Sequence, residues 1–228
     1  MLSFSYQTKV AKVNLIFWGK EKDNPNQNEP AVQQTIIAGL HPFISTQFLK
    51  QVHGNKIIEC KPTEQKNVFW GEADSAYTMT RGLPIIIRTA DCIPILFSCN
   101  DLVAGVHAGW RGLDNQILSN SIDFLIKSHS CRMEDFHFYI GPHIRQDSYE
   151  VSEDVFSKFN QKYANHKNEQ KAMLNLTNIA IDQILSFGFQ DSQVNIIHDD
   201  TYESESWYSH RAGDKGRNLS LIWLSAIE

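Results

Sequence analysis

At 228 residues, 42% of them hydrophobic and 21% charged, the chain has the composition of a globular protein long enough to bury its own core. A net charge of -5, with Lys and Arg scattered, excludes the basic face that nucleic-acid binding needs and leaves no polybasic anchor for a membrane. No run of about 18 apolar residues is present, which excludes a transmembrane helix, and no signal-peptide core is visible near the N-terminus.

Residues 9–18, with Val10, Val13, Leu15, Ile16 and Phe17, predict an early strand. Residues 19–30 are polar and rich in Asn, Lys and Glu, which predicts a loop, and Pro30 suits the first turn of a helix. Val32, Ile36, Ile37 and Leu40 then recur at helical spacing. Residues 48–52 predict a short strand leading to His53, with a Gly54-Asn55 turn after it. An extended run at 56–60, a polar connection at 61–71 and a strand at 73–78 follow. Three apolar runs rich in β-branched residues, 83–87, 93–97 and 102–106, read as buried strands.

The period then changes. Ile117, Leu118, Ile122, Leu125 and Ile126 mark an amphipathic helix over 114–127. Residues 136–140 read as a strand ending in Gly141-Pro142. Residues 151–163 read as a helix with Val155, Phe156 and Phe159 on one side, and 173–187 as a further helix that Gly188 ends. A strand at 194–197 feeds His198-Asp199-Asp200, residues 204–218 are polar and irregular, and 219–224 form a final strand. No repeat, low-complexity tract or linker interrupts the pattern, so residues 1–228 predict a single domain. Strands do not alternate strictly with helices. That favours the α+β class, with mixed β-sheets flanked by helices, over a doubly wound parallel sheet.

The central runs each deliver a reactive side chain to a strand end: Cys92 between the first two, and His107 after the third. His53 stands at an earlier strand end of the same kind. A thiolate and two neutral imidazoles suit Zn²⁺, and three protein ligands with the fourth position open is the catalytic pattern. The same residues have other readings. Cys92 is equally a small buried thiol, and His107 a strand-end histidine with its hydrogen bonds satisfied. Cys92 and His107 also form a nucleophile and its base, with Asp91 or His53 orienting the pair. Glycines surround His107, Trp110 and Arg111 just ahead of the predicted helix. Glycine permits close approach of a ligand and a helix start receives an anion, although a tight turn anchored by Trp110 explains the same residues. His198-Asp199-Asp200 reads as a polar turn. Cys60, Cys92, Cys99 and Cys131 make no CxxC pair and read as reduced thiols of a cytoplasmic protein.

The segments Gln51-Val52-His53-Gly54, Ala73-Asp74-Ser75-Ala76, Thr89-Ala90-Asp91-Cys92, His107-Ala108-Gly109-Trp110-Arg111-Gly112 and Ile140-Gly141-Pro142 occur in an order that resembles the YfiH family. That family is also called the polyphenol oxidase or laccase-domain family, and the resemblance runs from about Phe48 to Trp223. It implies an α+β fold and a zinc ion held by His53, Cys92 and His107, which are then both metal ligands and catalytic residues. It implies phosphorolysis of purine nucleosides (adenosine, inosine, guanosine, 5′-methylthioadenosine), with adenosine deamination as a second activity. Purine nucleoside and phosphate are then the partners, with Arg111, Asp74 and Arg211 expected against substrate. Copper-dependent laccase chemistry is the alternative, less favoured because one Cys and two His provide a single metal site. A metal-free Cys/His hydrolase, a peptidoglycan-editing amidase and a zinc-stabilised binding module are further alternatives. The chain departs from the family pattern at residues 15–23, where an early Ser-Thr-Arg-x-Gly-Gly segment is missing. It departs again at Gln146, Asp147 and Ser148, which replace cysteines, and at Asp200-Thr201, which replaces Cys-Thr.

Overall fold

The structure, a computed structural model, describes residues 1–8, 10–20, 29–40, 43, 45–63 and 68–227. Most of the loop expected at 19–30, and part of the polar connection at 61–71, lie outside the described residues. The chain opens with strands β1 (Leu2–Gln7) and β2 (Lys12–Trp18), helix α1 (Pro30–Leu40), then β3 (Phe48–Lys50), β4 (Ile57–Glu59), β5 (Phe69–Glu72) and β6 (Ser75–Thr78). The central strands are β7 (Ile85–Thr89), β8 (Ile93–Cys99) and β9 (Leu102–Ala108), followed by helices α2 (Trp110–Asp114) and α3 (Ile117–His129). Next come β10 (Phe136–Ile140), β11 (Glu150–Ser152), α4 (Glu153–Phe156), β12 (Ala164–His166), β13 (Lys171–Leu174) and α5 (Leu176–Leu185). β14 (Val194–Ile196) and β15 (Asn218–Ser225) complete the chain.

Two sheets carry the architecture. A four-stranded antiparallel sheet runs β1-β2-β15-β7, and a six-stranded mixed sheet runs β14-β10-β8-β9-β6-β4. Small sheets β11-β13-β12 and β3-β5 flank them. The class is α+β, as the order of elements predicts. Every residue of β8 and β9 is buried, because each strand is covered on both faces. Ile93, Ile95 and Phe97 of β8 face the helix side, packing with Ile122 and Leu125 of α3 and Ile179 and Ile184 of α5. Leu96 points the other way and packs with Leu15 and Phe17 of β2, Ile85 and Ile87 of β7, and Ile222 of β15. The two-residue period of a strand thus feeds two cores at once. A third cluster, with Ile37, Phe48, Ile86, Leu221 and Trp223, covers the outer face of the four-stranded sheet. The sheets approach closely at Gly105, where a Cβ would stand 2.9 Å from the side chains of Ile85 and Ile87.

Three expectations need correction. The helix placed over 114–127 is broken, because Gln116 takes a left-handed backbone (φ 58) between the single turn of α2 and the amphipathic α3. The helix placed over 151–163 is mostly absent. Glu150–Ser152 pairs with β13, and only Glu153–Phe156 turns helically. The helix placed at 173–187 starts later, because Lys171–Leu174 is the centre of the three-stranded sheet. There Asn175 caps α5 by accepting from the Asn178 N–H at 2.9 Å. Strands β1 and β5 lie where no strand was expected. Gly188 (φ 93) follows α5 as anticipated. All four cysteines are unpaired, and no described helix is long and apolar enough to cross a membrane.

Candidate metal centre and cleft

His53, Cys92 and His107 come from three separate turns and strand ends, and their ligand atoms lie within 4.8 Å of one another. His107 is the penultimate residue of β9, and strand pairing puts it opposite Pro94 at the start of β8. Cys92 immediately precedes β8. His53 sits in the turn after β3 with φ 59, and Asp91 beside Cys92 has φ 85. Two non-glycine residues in this sparsely populated region flank one site, which is where such conformations concentrate. The His53 and His107 rings meet edge to face at 4.8 Å, and His53 Nε2 lies 3.9 Å from Cys92 Sγ.

Asp74 organises the group from below. Its carboxylate accepts the backbone N–H of Val52 (3.1 Å), His53 (2.9 Å) and Gly54 (2.7 Å), which fixes the turn carrying His53. Asp74 Oδ1 also lies 2.7 Å from His107 Nδ1, so that nitrogen carries the hydrogen and Nε2 is left for a ligand. Burial works against ionisation of Asp74, but these hydrogen bonds outweigh it and hold the carboxyl below its ordinary value. Asp74 is fully buried and does not line the cleft, and it stands behind the donors. Gln51 anchors the same turn from the other side. Its side chain donates to the Arg88 carbonyl at 2.7 Å and accepts the Arg88 N–H at 2.9 Å.

The donor set fits a zinc ion. Two imidazoles and a thiol are borderline and soft donors, and tetrahedral zinc wants such atoms about 3.4–3.7 Å apart, so the 3.9 Å between His53 and Cys92 and the group's span of up to 4.8 Å would tighten around a bound ion. Burial raises the Cys92 thiol, but His107 and His53 outweigh it and bring it down to about 6. Burial likewise opposes charge on His107, while Cys92 and Asp74 push it up to about 9. At neutral pH the metal-free pair is thus a thiolate beside an imidazolium, and a bound metal would take the place of the proton on His107 Nε2. Gly109 leaves the space for it, since a Cβ there would stand 2.9 Å from Cys92 Sγ and 3.4 Å from His53 Cδ2. Gly109→Ala is expected to weaken zinc binding by about ten-fold or more, the order seen when ligands are displaced by small shifts. Its metal-free melting temperature should fall only modestly, because the Gly109 backbone (φ -82) suits any residue and the close contact is with the tip of the Cys92 side chain. Competition against a chromophoric chelator measures the first, and calorimetry the second.

The three donors floor a cleft of about 750 Å³, within the usual range for small-molecule sites. Arg111 and Arg211 both line it. Arg111 lies 4.3 Å from the Trp110 ring centroid, and Arg211 lies 5.3 Å from that of Tyr149. The helix behind Arg111 is a single turn, so the side chain and not a helix dipole supplies the positive charge. Asp91 does not orient the Cys–His pair. Its carboxylate accepts the Thr201 hydroxyl (2.8 Å) and the Arg211 N–H (2.7 Å), which ties the segment bearing Arg211 to the cleft wall. Arg88, a polar residue between two apolar runs of the sequence, lines the cleft as well, and so do Tyr149 and Arg217, which the sequence did not single out. Tyr149 immediately follows the replaced residues Gln146, Asp147 and Ser148. Burial pushes its phenol above the ordinary value, so it stays a neutral O–H.

His198 stands beside Arg145 (3.5 Å) outside the cleft, while Asp199 accepts from Trp207 and Asp200 from the Tyr202 N–H, as a polar turn does. Behind this turn His143 is fully buried, with Nδ1 2.8 Å from the Gly141 carbonyl and Nε2 2.7 Å from the Thr177 hydroxyl. Burial foremost, with Arg145 and His198 adding to it, lowers His143 to about 3. The unfolded chain then takes up a proton near pH 6.5 that the native state refuses until about pH 3. Stability is therefore intact above about 6.5 and falls by roughly 1.4 kcal/mol per pH unit below it. At pH 5 the wild type should have lost about 2 kcal/mol more, relative to pH 7, than His143→Gln. Urea unfolding at the two pH values measures the difference.

The profile of the family described as multi-copper polyphenol oxidoreductase laccase matches residues 6–225. The chain is 31% identical over 216 residues to a Haemophilus influenzae protein named purine nucleoside phosphorylase, covering 88% of this chain and 84% of that one. It is 31% identical over 223 residues to the Escherichia coli protein named purine nucleoside phosphorylase YfiH, covering 89% and 83%. Among solved structures, YfiH of Bacillus licheniformis superposes with a TM-score of 0.81 at 21% identity, over 94% of this chain and 93% of that one, a likeness of fold.

Proposed function

Because the chain belongs to the multi-copper polyphenol oxidoreductase laccase family, whose profile spans residues 6–225, we propose that it is a zinc enzyme of purine nucleoside phosphorolysis. The relatives named purine nucleoside phosphorylase support the substrate class. The observation that carries the reading is the three-donor group His53, Cys92 and His107 at the floor of an arginine-lined cleft. Zinc supplies Lewis acidity to an oxygen at neutral pH. In phosphorolysis a phosphate oxygen bonds to C1′ of the ribose as the bond from C1′ to the purine breaks, and the purine leaves with the electron pair and takes up a proton. Arg111 and Arg211 hold the phosphate anion by charge-assisted hydrogen bonds. Tyr149, kept protonated, offers a hydroxyl beside them. Hydrolytic deamination of adenosine is the companion activity that the same donors suit. Zinc is favoured over copper because, among the described residues, His53, Cys92 and His107 form the one such donor group, whereas a multi-copper oxidase needs several.

One observation favours a second reading. Asp74, His107 and Cys92 stand in line as carboxylate, imidazole and thiol, the order of a nucleophile, its base and an orienting group. Elemental analysis of protein purified without an affinity tag separates the two. About one zinc per chain, and phosphate-dependent release of purine base that a chelator abolishes, is the expected result. Chelator-resistant amide hydrolysis, blocked by alkylation of Cys92, would establish the hydrolase instead.

A further inference from the structure

Residues 197–217 join β14 to β15 without a helix or strand, and Arg211 lies within them. Residues 209–214 close on themselves. The Asp214 carboxylate accepts the Ser209 N–H at 2.9 Å, the Asp214 N–H donates to the Ser209 carbonyl at 2.9 Å, and the Ser209 hydroxyl accepts the Ala212 N–H at 3.1 Å. Lys20 pairs with Asp214 at 2.8 Å and holds the base of this loop. Two contacts of Arg211 hold its tip. The Arg211 N–H donates to Asp91 Oδ2 at 2.7 Å, and Arg211 Nη2 donates to the Glu150 carbonyl at 2.9 Å. The hydrogens on Nε and Nη1 meet no acceptor among the described residues, and the side chain lines the cleft.

Asp91 has φ 85, a backbone setting that glycine enters freely and aspartate only at a cost. Its carboxylate is what the position uses. It is 8% exposed, with Oδ1 accepting the Thr201 hydroxyl at 2.8 Å and Oδ2 the Arg211 N–H, while the Asp91 carbonyl accepts the Ile144 N–H at 3.1 Å. From this we propose that Asp91 is a positioning residue, which presents Arg211 to the phosphate and so sets phosphate affinity without binding the anion itself. The proposal deepens the phosphorolysis reading and rests on it for the identity of the anion. It also fixes a sign. A carboxylate lining the cleft repels an anion, so by charge alone its removal would tighten phosphate binding. Loss of the Arg211 anchor weakens it.

The test is calorimetric titration of the zinc-loaded protein with inorganic phosphate, and separately with inosine, at about 0.15 M salt. Asp91→Asn is expected to weaken phosphate about ten-fold, the order of one charge-assisted hydrogen bond, and to leave inosine within about two-fold. Asp91→Gly suits the φ of 85 and also lacks the carboxylate, so it should keep the fold and show the same loss. Arg211→Met should match them, and Asp91→Asn added to Arg211→Met should cost nothing more. Phosphate affinity unchanged or tighter in Asp91→Asn and Asp91→Gly would overturn the proposal. So would an equal further loss on the Arg211→Met background. A parallel fall in inosine affinity and zinc content would overturn it too, because Asp91 would then serve only the turn at Cys92. If wild type binds inosine but no phosphate, the phosphorolysis reading falls and the proposal with it. If wild type and Arg211→Met bind phosphate alike, only the role of Asp91 fails.

Discussion

His107→Ala is expected to purify without stoichiometric metal and with purine release lowered at least about a thousand-fold. The substitution removes one of three protein donors and the imidazole that stands nearest the buried Asp74. Two donors, His53 and Cys92, remain on separate turns, too few to hold zinc in a tetrahedral site. Elemental analysis and a phosphorolysis assay on one preparation give the result, with Cys92→Ala as a companion expected to behave alike. Retention of one zinc per chain with full turnover in His107→Ala would remove the metal from the mechanism. The fold should survive, because His107 is next to the last residue of β9 and the core residues of that strand, Ala104 and Val106, are untouched.

Asp74→Asn is the second large effect, and it strikes both binding and stability. Asp74 serves four hydrogen-bond partners, and an amide offers one oxygen in place of two. Loss of the carboxylate behind a metal-binding histidine weakens affinity by roughly 10- to 100-fold. A buried N–H left without its acceptor costs a further 1–3 kcal/mol or so. The variant should therefore need about 10- to 100-fold more zinc for half saturation and melt several degrees lower even without metal. An unchanged zinc titration would show that the His53 turn and the His107 ring hold their places without it. The two substitutions are distinguishable, since His107→Ala loses the site outright while Asp74→Asn is restored by excess zinc.

How far the sequence discloses this follows from the range of the interactions involved. β8 and β9 are continuous apolar runs and announce themselves, because strands buried on both faces need no polar alternation. The short motifs likewise mark His53, Cys92 and His107, the residues the fold brings together. Residues 151–163 misled because Val155, Phe156 and Phe159 mimic a helical face. What decides there is pairing of Glu150–Ser152 with Lys171–Leu174, which no local window contains. Asp74 was marked by its motif but not its task, since a carboxylate in a short polar segment looks like a substrate contact until its burial is known. Arg88 and Arg217 are far apart in sequence, and only the pairing of β7 with β15 makes neighbours of them.

That pairing bears on the order in which the protein can be assembled at the ribosome. β15 lies between β2 and β7, in register with Leu15 and Phe17 on one side and with Ile85 and Ile87 on the other. Until residues 218–225 have been synthesised, β2 and β7 each present an unpaired, strongly apolar edge, the kind that associates with other chains. The four-stranded sheet therefore closes last, by insertion of the final strand into its middle. Asp91 cannot receive Thr201 and the Arg211 N–H much earlier than that. A nascent chain exposes the β2 edge from residue 19 and the β7 edge from residue 90 until residues 218–225 cover both, so escape from aggregation depends on that strand.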